Sequence, residues 1–271
     1  MRVKFRSALI RTAIFVGVFA LALTIVASDQ KSNATHPQAK KSLRPLFVLV
    51  HSPLVGQTTW SLVAQELRRK GFEVVVPTLN SDQRSKKPYW QAHVEQVVRS
   101  LRAIPPNRSL ILVAHSGAGV LLPAIRKALR RPVAEYIFVD AIAPVDNKSR
   151  LALFDSEESA NEFRRRAVNG YIPVWSDKDL REEIPDSRLR RRFVSELKHL
   201  PIAIYEEPIP VFANWPDSPC GYLQFTESYN LDAARLRDKG CIYMAIKGSH
   251  FQMLVDAPAV AKALLNLTGR L

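Results

Sequence analysis

From residue 46 onward, short apolar runs alternate with amphipathic stretches, and this alternation restricts the possible folds more than any other feature of the sequence. Runs this rich in Val, Ile and Leu are typical of strands buried on both faces of a parallel sheet. The pattern therefore predicts an α/β fold with a doubly wound, mostly parallel sheet. The predicted strands are 46–51, 73–79, 109–115, 135–141, 209–213 and 241–246, and the predicted helices are 58–70, 90–104, 120–129 and 258–267.

The alternation stops between about residues 146 and 207, where a charged, helix-prone stretch separates two predicted strands. This stretch is too long for an ordinary connection between a helix and a strand. We expect it to form a helical lid over the carboxyl ends of the strands, where ligands bind in open α/β sheets. A peripheral helical hairpin with a purely structural role is the alternative. The folded domain, with this insertion, is predicted to span residues 45–271.

The N-terminal residues have the pattern of an export signal. Four basic residues precede an uncharged apolar run, 12–27, which polar residues follow at once. We therefore expect residues 1–28 to be a signal peptide and the protein to be exported, either to a periplasm or out of the cell. The alternative is an uncleaved anchor, the one case in which we expect membrane contact. Residues 29–44 are polar, lack apolar periodicity and are predicted to be a linker.

The charge and the cysteines exclude several classes of protein. The formal net charge is +14, but the basic residues are scattered through amphipathic stretches and form no phosphate-binding stripe, so we expect no nucleic-acid partner. Attachment to an anionic surface is an alternative that rests on charge alone. The two cysteines, Cys220 and Cys241, have no metal-ligand spacing, and the sequence leaves open whether they pair or remain free thiols.

One predicted strand runs directly into a serine. The sequence Ala114-His115-Ser116-Gly117-Ala118 follows this strand and precedes a predicted helix. Such a sharp turn holds a serine with its hydroxyl exposed, and it needs small residues two positions before and after the serine. The segment resembles the nucleophile turn of the α/β-hydrolase family, although alanines replace the usual glycines. The resemblance covers residues 46–270 and implies that Ser116 is a nucleophile.

A serine hydroxyl needs a base, and the α/β-hydrolase family supplies a histidine after its last strand. His250 follows the predicted strand 241–246 and fits this place. The family also uses a carboxylate to orient the histidine. Asp217 follows the predicted strand 209–213 and is the preferred candidate. Asp140, at the end of the predicted strand 135–141, is the alternative acid.

The resemblance also implies an oxyanion hole made of two backbone N–H groups. Gly117, directly after the serine, is expected to supply one. Leu54 is expected to supply the other from a reshaped loop, since Pro53 has no N–H to donate. The histidines His51 and His115, together with Phe251, are predicted substrate-binding residues.

These features predict a serine hydrolase that cleaves a carboxylic ester or related acyl bond of a small molecule through an acyl-serine intermediate. We expect no metal and no organic cofactor, because the sequence contains neither a zinc-binding motif, nor a glycine-rich phosphate loop, nor a dinucleotide fingerprint. The alternative is a non-catalytic protein with the same fold that binds an apolar ligand or a partner under its lid.

Overall fold

The computed structural model describes residues 44–81 and 87–270. The predicted signal segment and all but the last residue of the predicted linker lie outside this range. In chain order, the helices and strands are β1 (Leu46–Val50), α1 (Thr58–Arg69), β2 (Val74–Val75), α2 (Tyr89–Ser100), β3 (Leu110–Ser116), α3 (Leu122–Ala128), β4 (Val133–Ala141), α4 (Glu157–Arg165), β5 (Tyr171–Ile172), α5 (Ser187–Ser195), β6 (Leu200–Pro201), α6 (Ala203–Glu206), β7 (Cys220–Gln224), α7 (Asn230–Asp238), β8 (Ile242–Ala245), α8 (Gln252–Val255) and α9 (Ala257–Leu267).

Six of the strands form one sheet in the order β2, β1, β3, β4, β7, β8, and every neighbouring pair is parallel. This arrangement confirms the predicted α/β class and the mostly parallel sheet. Because all six strands run in the same direction, their carboxyl ends meet at one edge, which is where ligands bind in open α/β sheets. The central strands β3 and β4 carry Ser116 and Asp140 to this edge.

Alternate residues of each central strand pack against helices on opposite faces of the sheet, as the two-residue period of a strand requires. In β1, Leu46, Val48 and Val50 join the core that also contains buried residues of α2, α3 and α7. The intervening Phe47 and Leu49 join a second core with α1 and α9. All five side chains are almost completely buried, so both faces of the sheet are covered.

The predicted strand 209–213 is wrong. Ile209 forms only an isolated bridge to one residue of the insertion, and the segment has no other strand pairing. Pro208 and Pro210 lack the N–H groups that a central strand donates, which explains why this apolar run does not enter the sheet. The strand on the other side of β4 from β3 is β7, which was not predicted because Gly221 and Gln224 interrupt its apolar pattern.

Further elements differ from the prediction, among them β2 and α7. The predicted strand 73–79 contains only the two residues of β2, which pair with Phe47 and Val48 of β1. The helix α7 was not predicted, because its sequence is mostly polar and charged with few apolar residues at helical spacing.

Cys220 and Cys241 form a disulfide with a Cα–Cα distance of 4.6 Å, which answers the question that the sequence left open. Cys220 begins β7 and Cys241 directly precedes β8, and these strands are neighbours with Gly221 paired to Ile242. The bond therefore links the edge strand of the sheet to its inner neighbour.

The stretch 146–207 contains α4, α5, α6 and the small antiparallel pair β5 and β6, all outside the main sheet. Two of its carboxylates bind the starts of core helices that have no side-chain cap of their own. Glu196 accepts hydrogen bonds from the backbone N–H and hydroxyl of Thr58, at 2.8 and 2.6 Å. Glu207 accepts from the backbone N–H groups of Tyr89 and Trp90, at 2.8 and 2.6 Å. Since negative charge is favoured at a helix N-terminus, both contacts stabilise the attachment of this segment to the core.

Within residues 44–81 and 87–270, no helix combines the length and the apolar composition needed to cross a membrane. The apolar run 12–27 lies outside these residues.

Candidate active site

Ser116 is the last residue of β3 and has a φ of 56°, in the left-handed region that non-glycine residues rarely occupy. The pairing of β3 with β4 shifts by one residue at this point, and the Ser116 carbonyl accepts a hydrogen bond of 3.1 Å from the N–H of Ile142. This strained turn is the geometry expected of a nucleophile turn, and it leaves Ser116 partly exposed.

The turn is tightly packed against β4. Ala114 and Ala118, the two small residues noted in the sequence, are both fully buried. The closest approach falls one residue further on, where a β-carbon on Gly119 would overlap the carbonyl oxygen of Ile142. The absence of a side chain at position 119 is therefore what allows the chain to leave the strand so abruptly.

His250 follows β8 and pairs with Asp140, whose Oδ2 lies 2.8 Å from the His250 Nδ1. Asp140 is the second-to-last residue of β4, has a φ of 42° and is fully buried. Its carboxylate accepts three more hydrogen bonds: Oδ1 from the N–H groups of Phe225 and Thr226, at 2.9 and 3.0 Å, and Oδ2 from the Thr226 hydroxyl, at 2.9 Å. Four donors hold this carboxylate, so its orientation toward His250 is fixed.

The preference for Asp217 as the partner of His250 is wrong. Its carboxylate accepts a hydrogen bond from the Tyr136 hydroxyl and forms an ion pair of 2.8 Å with Arg126. The prediction placed Asp217 after a strand that does not exist, whereas it actually precedes β7 and so lies at the amino end of the sheet. The alternative, Asp140, is the carboxylate that the structure brings to His250.

Among the described residues, the Ser116 hydroxyl forms a hydrogen bond only with the hydroxyl of Tyr229, at 3.2 Å. The Tyr229 ring also stacks on the His250 imidazole, with a centroid distance of 5.2 Å and an angle of 7° between the planes. Sequence reasoning missed Tyr229. Its position depends on a short helical turn after β7, a strand that the sequence did not predict.

Gly117, the predicted first donor of the oxyanion hole, is buried directly after the serine. Its N–H has no acceptor among the described residues, while its carbonyl accepts a hydrogen bond of 2.8 Å from the Nε of Arg150. Arg150 is fully buried, and its Nη1 donates to the carbonyl of Ile204 at 2.7 Å. Arg150 belongs to the stretch 146–207, and its buried guanidinium holds the turn after Ser116 through the Gly117 carbonyl. Sequence reasoning also missed this arginine.

Leu54, the predicted second donor, lies in the loop after β1 and packs partly buried against hydrophobic core residues. The same loop carries Ser52, whose hydroxyl lies 3.4 Å from the point where a β-carbon of Gly117 would be. The loop therefore lies against the turn that holds the nucleophile. Whether the Leu54 N–H acts as a donor to a substrate stays a prediction.

The three predicted substrate-binding residues are buried, with exposed fractions of 0% for His51 and His115 and 3% for Phe251. Burial lowers the pKa of His51 to about 4, and its ring hydrogen-bonds the Ser52 carbonyl at 2.8 Å. Burial also holds the pKa of His115 well below its usual value, so this neutral ring donates from Nε2 to the His250 carbonyl, at 3.0 Å. These three residues are therefore buried around the site. Direct contact between any of them and a substrate stays a prediction.

A cavity of about 250 Å³ adjoins two neighbours of the nucleophile, although neither Ser116 nor His250 lines it. Two of its lining residues contact Ser116 directly, Tyr229 through its hydroxyl and Ile142 through its N–H. Its other lining residues are Leu153, Phe154, Asp155, Ser228, Leu231 and Asp232. The cavity is smaller than the roughly 300 to 1,000 Å³ typical of sites for drug-sized ligands.

The parallel sheet, the strained serine turn at the end of β3 and the flanking helices define the α/β-hydrolase fold. The structure is similar to that of an extracellular α/β-hydrolase from a Paenibacillus species, described as sharing structural and functional homology with tobacco salicylic acid binding protein 2. The TM-score is 0.68 at 20% identity, with 82% of this chain and 99% of that one covered. Tomato methylketone synthase I matches with a TM-score of 0.63 at 15% identity, covering 84% and 99% of the two chains.

In sequence, the chain is 24% identical over 119 residues to polyneuridine aldehyde esterase from Rauvolfia serpentina. This match covers 42% of the chain and 45% of that esterase, less than half the length of either protein. The crystal structure of polyneuridine aldehyde esterase matches with a TM-score of 0.62 at 15% identity, covering 83% of this chain and all of that one. No family model matches the chain.

Proposed function

We propose that the protein is a serine hydrolase that cleaves a carboxylic ester, or a related acyl bond, of a small molecule. The observation that carries this proposal is the pairing of His250 with the buried Asp140 at the sheet edge where the strained turn presents Ser116. An aspartate that accepts from Nδ1 leaves Nε2 of the imidazole unprotonated and able to act as a base. The similarity to polyneuridine aldehyde esterase supports ester hydrolysis.

In this proposal, His250 takes the proton of the Ser116 hydroxyl as the serine oxygen attacks the substrate carbonyl. The carbonyl oxygen becomes an anion that the N–H groups of Gly117 and Leu54 stabilise. The intermediate collapses when His250 gives its proton to the departing alcohol, which leaves an acyl group on Ser116. Water, activated by the same histidine, then releases the acid. When the Tyr229 hydroxyl donates to the Ser116 oxygen, the serine proton is free to pass to His250.

The test is labelling with a fluorophosphonate probe, read by peptide mass spectrometry. We expect an adduct on Ser116 that is absent in Ser116→Ala and at least about 100-fold slower to form in His250→Ala, because general-base catalysis contributes about 10²- to 10⁴-fold. Ser100→Ala and His199→Ala, which change a serine and a histidine elsewhere on the protein, serve as matched controls and should label normally. A well-folded protein that takes up no probe would contradict the proposal.

A second candidate is a non-catalytic protein that binds a small apolar ligand. The observation in its favour is that the Ser116 hydroxyl bonds Tyr229 and not His250. Pro53 also removes one backbone donor from the loop beside the serine. Absence of probe labelling, together with saturable binding of an apolar dye that fills the cavity, would favour this candidate.

We also propose that the protein is exported, with residues 29–44 linking a signal at 1–28 to the folded domain and residues 146–207 acting as a lid. The Cys220–Cys241 disulfide supports export, because such bonds persist in oxidising compartments. Sequencing of the mature N-terminus tests it. A start near Asp29 indicates cleavage, and an intact N-terminus in the membrane fraction indicates the anchor.

A further inference from the structure

Among the residues that the structure describes, Tyr229 is the one aromatic residue whose side chain contacts both Ser116 and His250. Its hydroxyl lies 3.2 Å from the Ser116 Oγ, and its ring is stacked almost parallel on the His250 imidazole. The Tyr229 side chain therefore lies next to both the serine oxygen and the imidazole that is proposed to take its proton.

The loop that orients the acid also fixes Tyr229. Thr226 donates both its N–H and its hydroxyl to Asp140, and its carbonyl accepts from the N–H of Tyr229, at 3.5 Å. The short helical turn Glu227–Tyr229 follows at once. The hydroxyl thus has a defined position relative to the Asp140–His250 pair, and it is not the tip of a freely moving side chain.

The hydroxyl of Tyr229 keeps its proton at neutral pH. Burial raises the pKa of this phenol well above its usual value of 10. A phenol that stays protonated can only donate when it faces an oxygen that is gaining negative charge.

We propose that Tyr229 is a further catalytic residue that donates a hydrogen bond to the leaving-group oxygen and so adapts the site to alkyl esters. The inference rests on the proposed function. In the tetrahedral intermediate, the serine oxygen and the leaving oxygen are bonded to the same carbon. His250 must protonate the leaving oxygen, so that oxygen lies on the His250 side, within reach of the Tyr229 hydroxyl.

The step balances without any further reactant. The bond between the carbonyl carbon and the leaving oxygen breaks, the leaving oxygen keeps the electron pair, and it takes the proton that His250 received from Ser116. Tyr229 retains its own proton and stabilises the charge that develops before this transfer is complete. Alkoxides are strongly basic and need this stabilisation, whereas nitrophenolate and fluoride leave without it.

The experiment compares Tyr229→Phe with the wild type on two substrates that share an acyl group, ethyl acetate and p-nitrophenyl acetate. Phenylalanine keeps the ring on His250 and removes only the hydroxyl. We expect kcat/KM for ethyl acetate to fall by about 10- to 100-fold and that for p-nitrophenyl acetate to change by less than about threefold. The rate of fluorophosphonate labelling, in which fluoride leaves, should match the wild type.

Tyr243→Phe is the matched control. Its hydroxyl bonds Gln224 at 2.9 Å on the strand β8, and the residue has no part in the proposed chemistry. Neither substrate should be affected.

Equal losses on both esters, with normal labelling, would overturn the role in leaving-group departure. A faster Tyr229→Phe enzyme would overturn it too, because the hydroxyl would then only hold the serine in a resting state. These outcomes affect Tyr229 alone. A wild-type protein that takes up no probe at Ser116 would remove the proposed function and this inference together.

Discussion

Replacing Asp140 with asparagine should nearly abolish hydrolysis, and the hydrogen bonds of the site explain why. Oδ1 accepts two backbone N–H groups, so the oxygen of an asparagine must take this place. Its NH₂ group then replaces Oδ2 and faces the His250 Nδ1. An N–H there forces Nδ1 to accept, which puts the imidazole proton on Nε2. His250 can no longer take the proton of Ser116.

We expect kcat/KM for p-nitrophenyl acetate to fall by about 10³- to 10⁴-fold, which corresponds to about 4 to 5.5 kcal/mol of transition-state stabilisation. Nitrogen chemical shifts of the His250 ring test the cause directly. The wild type should show a proton on Nδ1, and Asp140→Asn should show it on Nε2 at a pH where the ring is neutral.

Asp217→Asn is the matched control, because it makes the same chemical change in a carboxylate that pairs with Arg126 and Tyr136. Its activity should stay within about threefold of the wild type, and its stability should fall by no more than about 1 kcal/mol. The reasoning is refuted if Asp140→Asn keeps more than about a tenth of the activity, or if Asp217→Asn loses as much.

Three further predictions concern stability. Replacing Cys220 and Cys241 with alanine should lower the free energy of unfolding by about 3 kcal/mol, measured by urea titration, because the bond closes a loop with a sequence separation of 21. Gly119→Ala should lose about 1–3 kcal/mol in the same assay, and activity with it, since the methyl group meets the Ile142 carbonyl. Burial lowers the pKa of His93 from 6.5 to about 3, so its contribution to stability is complete above pH 6.5 and is lost as the pH falls toward 3. Between about pH 7.5 and 5, the free energy of unfolding should therefore fall by about 2 kcal/mol less in His93→Gln than in the wild type. If the two proteins lose the same amount, His93 is not the cause.

The sequence predicted the class of the fold and the positions of Ser116 and His250, one at the end of a strand and the other after one, because those two strands have an apolar pattern. It failed where the local pattern and the sheet disagreed. The run 209–213 is apolar but is flanked and interrupted by prolines, while the real strand β7 contains Gly221 and Gln224 and owes its place to pairing with β4. The choice of Asp217 over Asp140 followed from this one error.

Tyr229 and Arg150 could not be found by the same reasoning. The contact between Tyr229 and Ser116 joins residues 113 positions apart through a turn of three residues, and no spacing along the chain encodes it. Arg150 is a fully buried cation in a stretch that the sequence describes only as charged and helix-prone. Its role depends on the Gly117 carbonyl, a backbone group that has no sequence signature.

Arg150 also bears on the function of the segment between β4 and β7. A lid that only covered a finished site could be removed without changing the nucleophile. Here the insertion supplies the guanidinium that holds the turn after Ser116, and its Glu196 and Glu207 bind the first turns of α1 and α2. Deleting it would leave a buried carbonyl at Gly117 and two helix ends without partners, each a loss of about 1–3 kcal/mol. The segment is therefore part of the framework of the site.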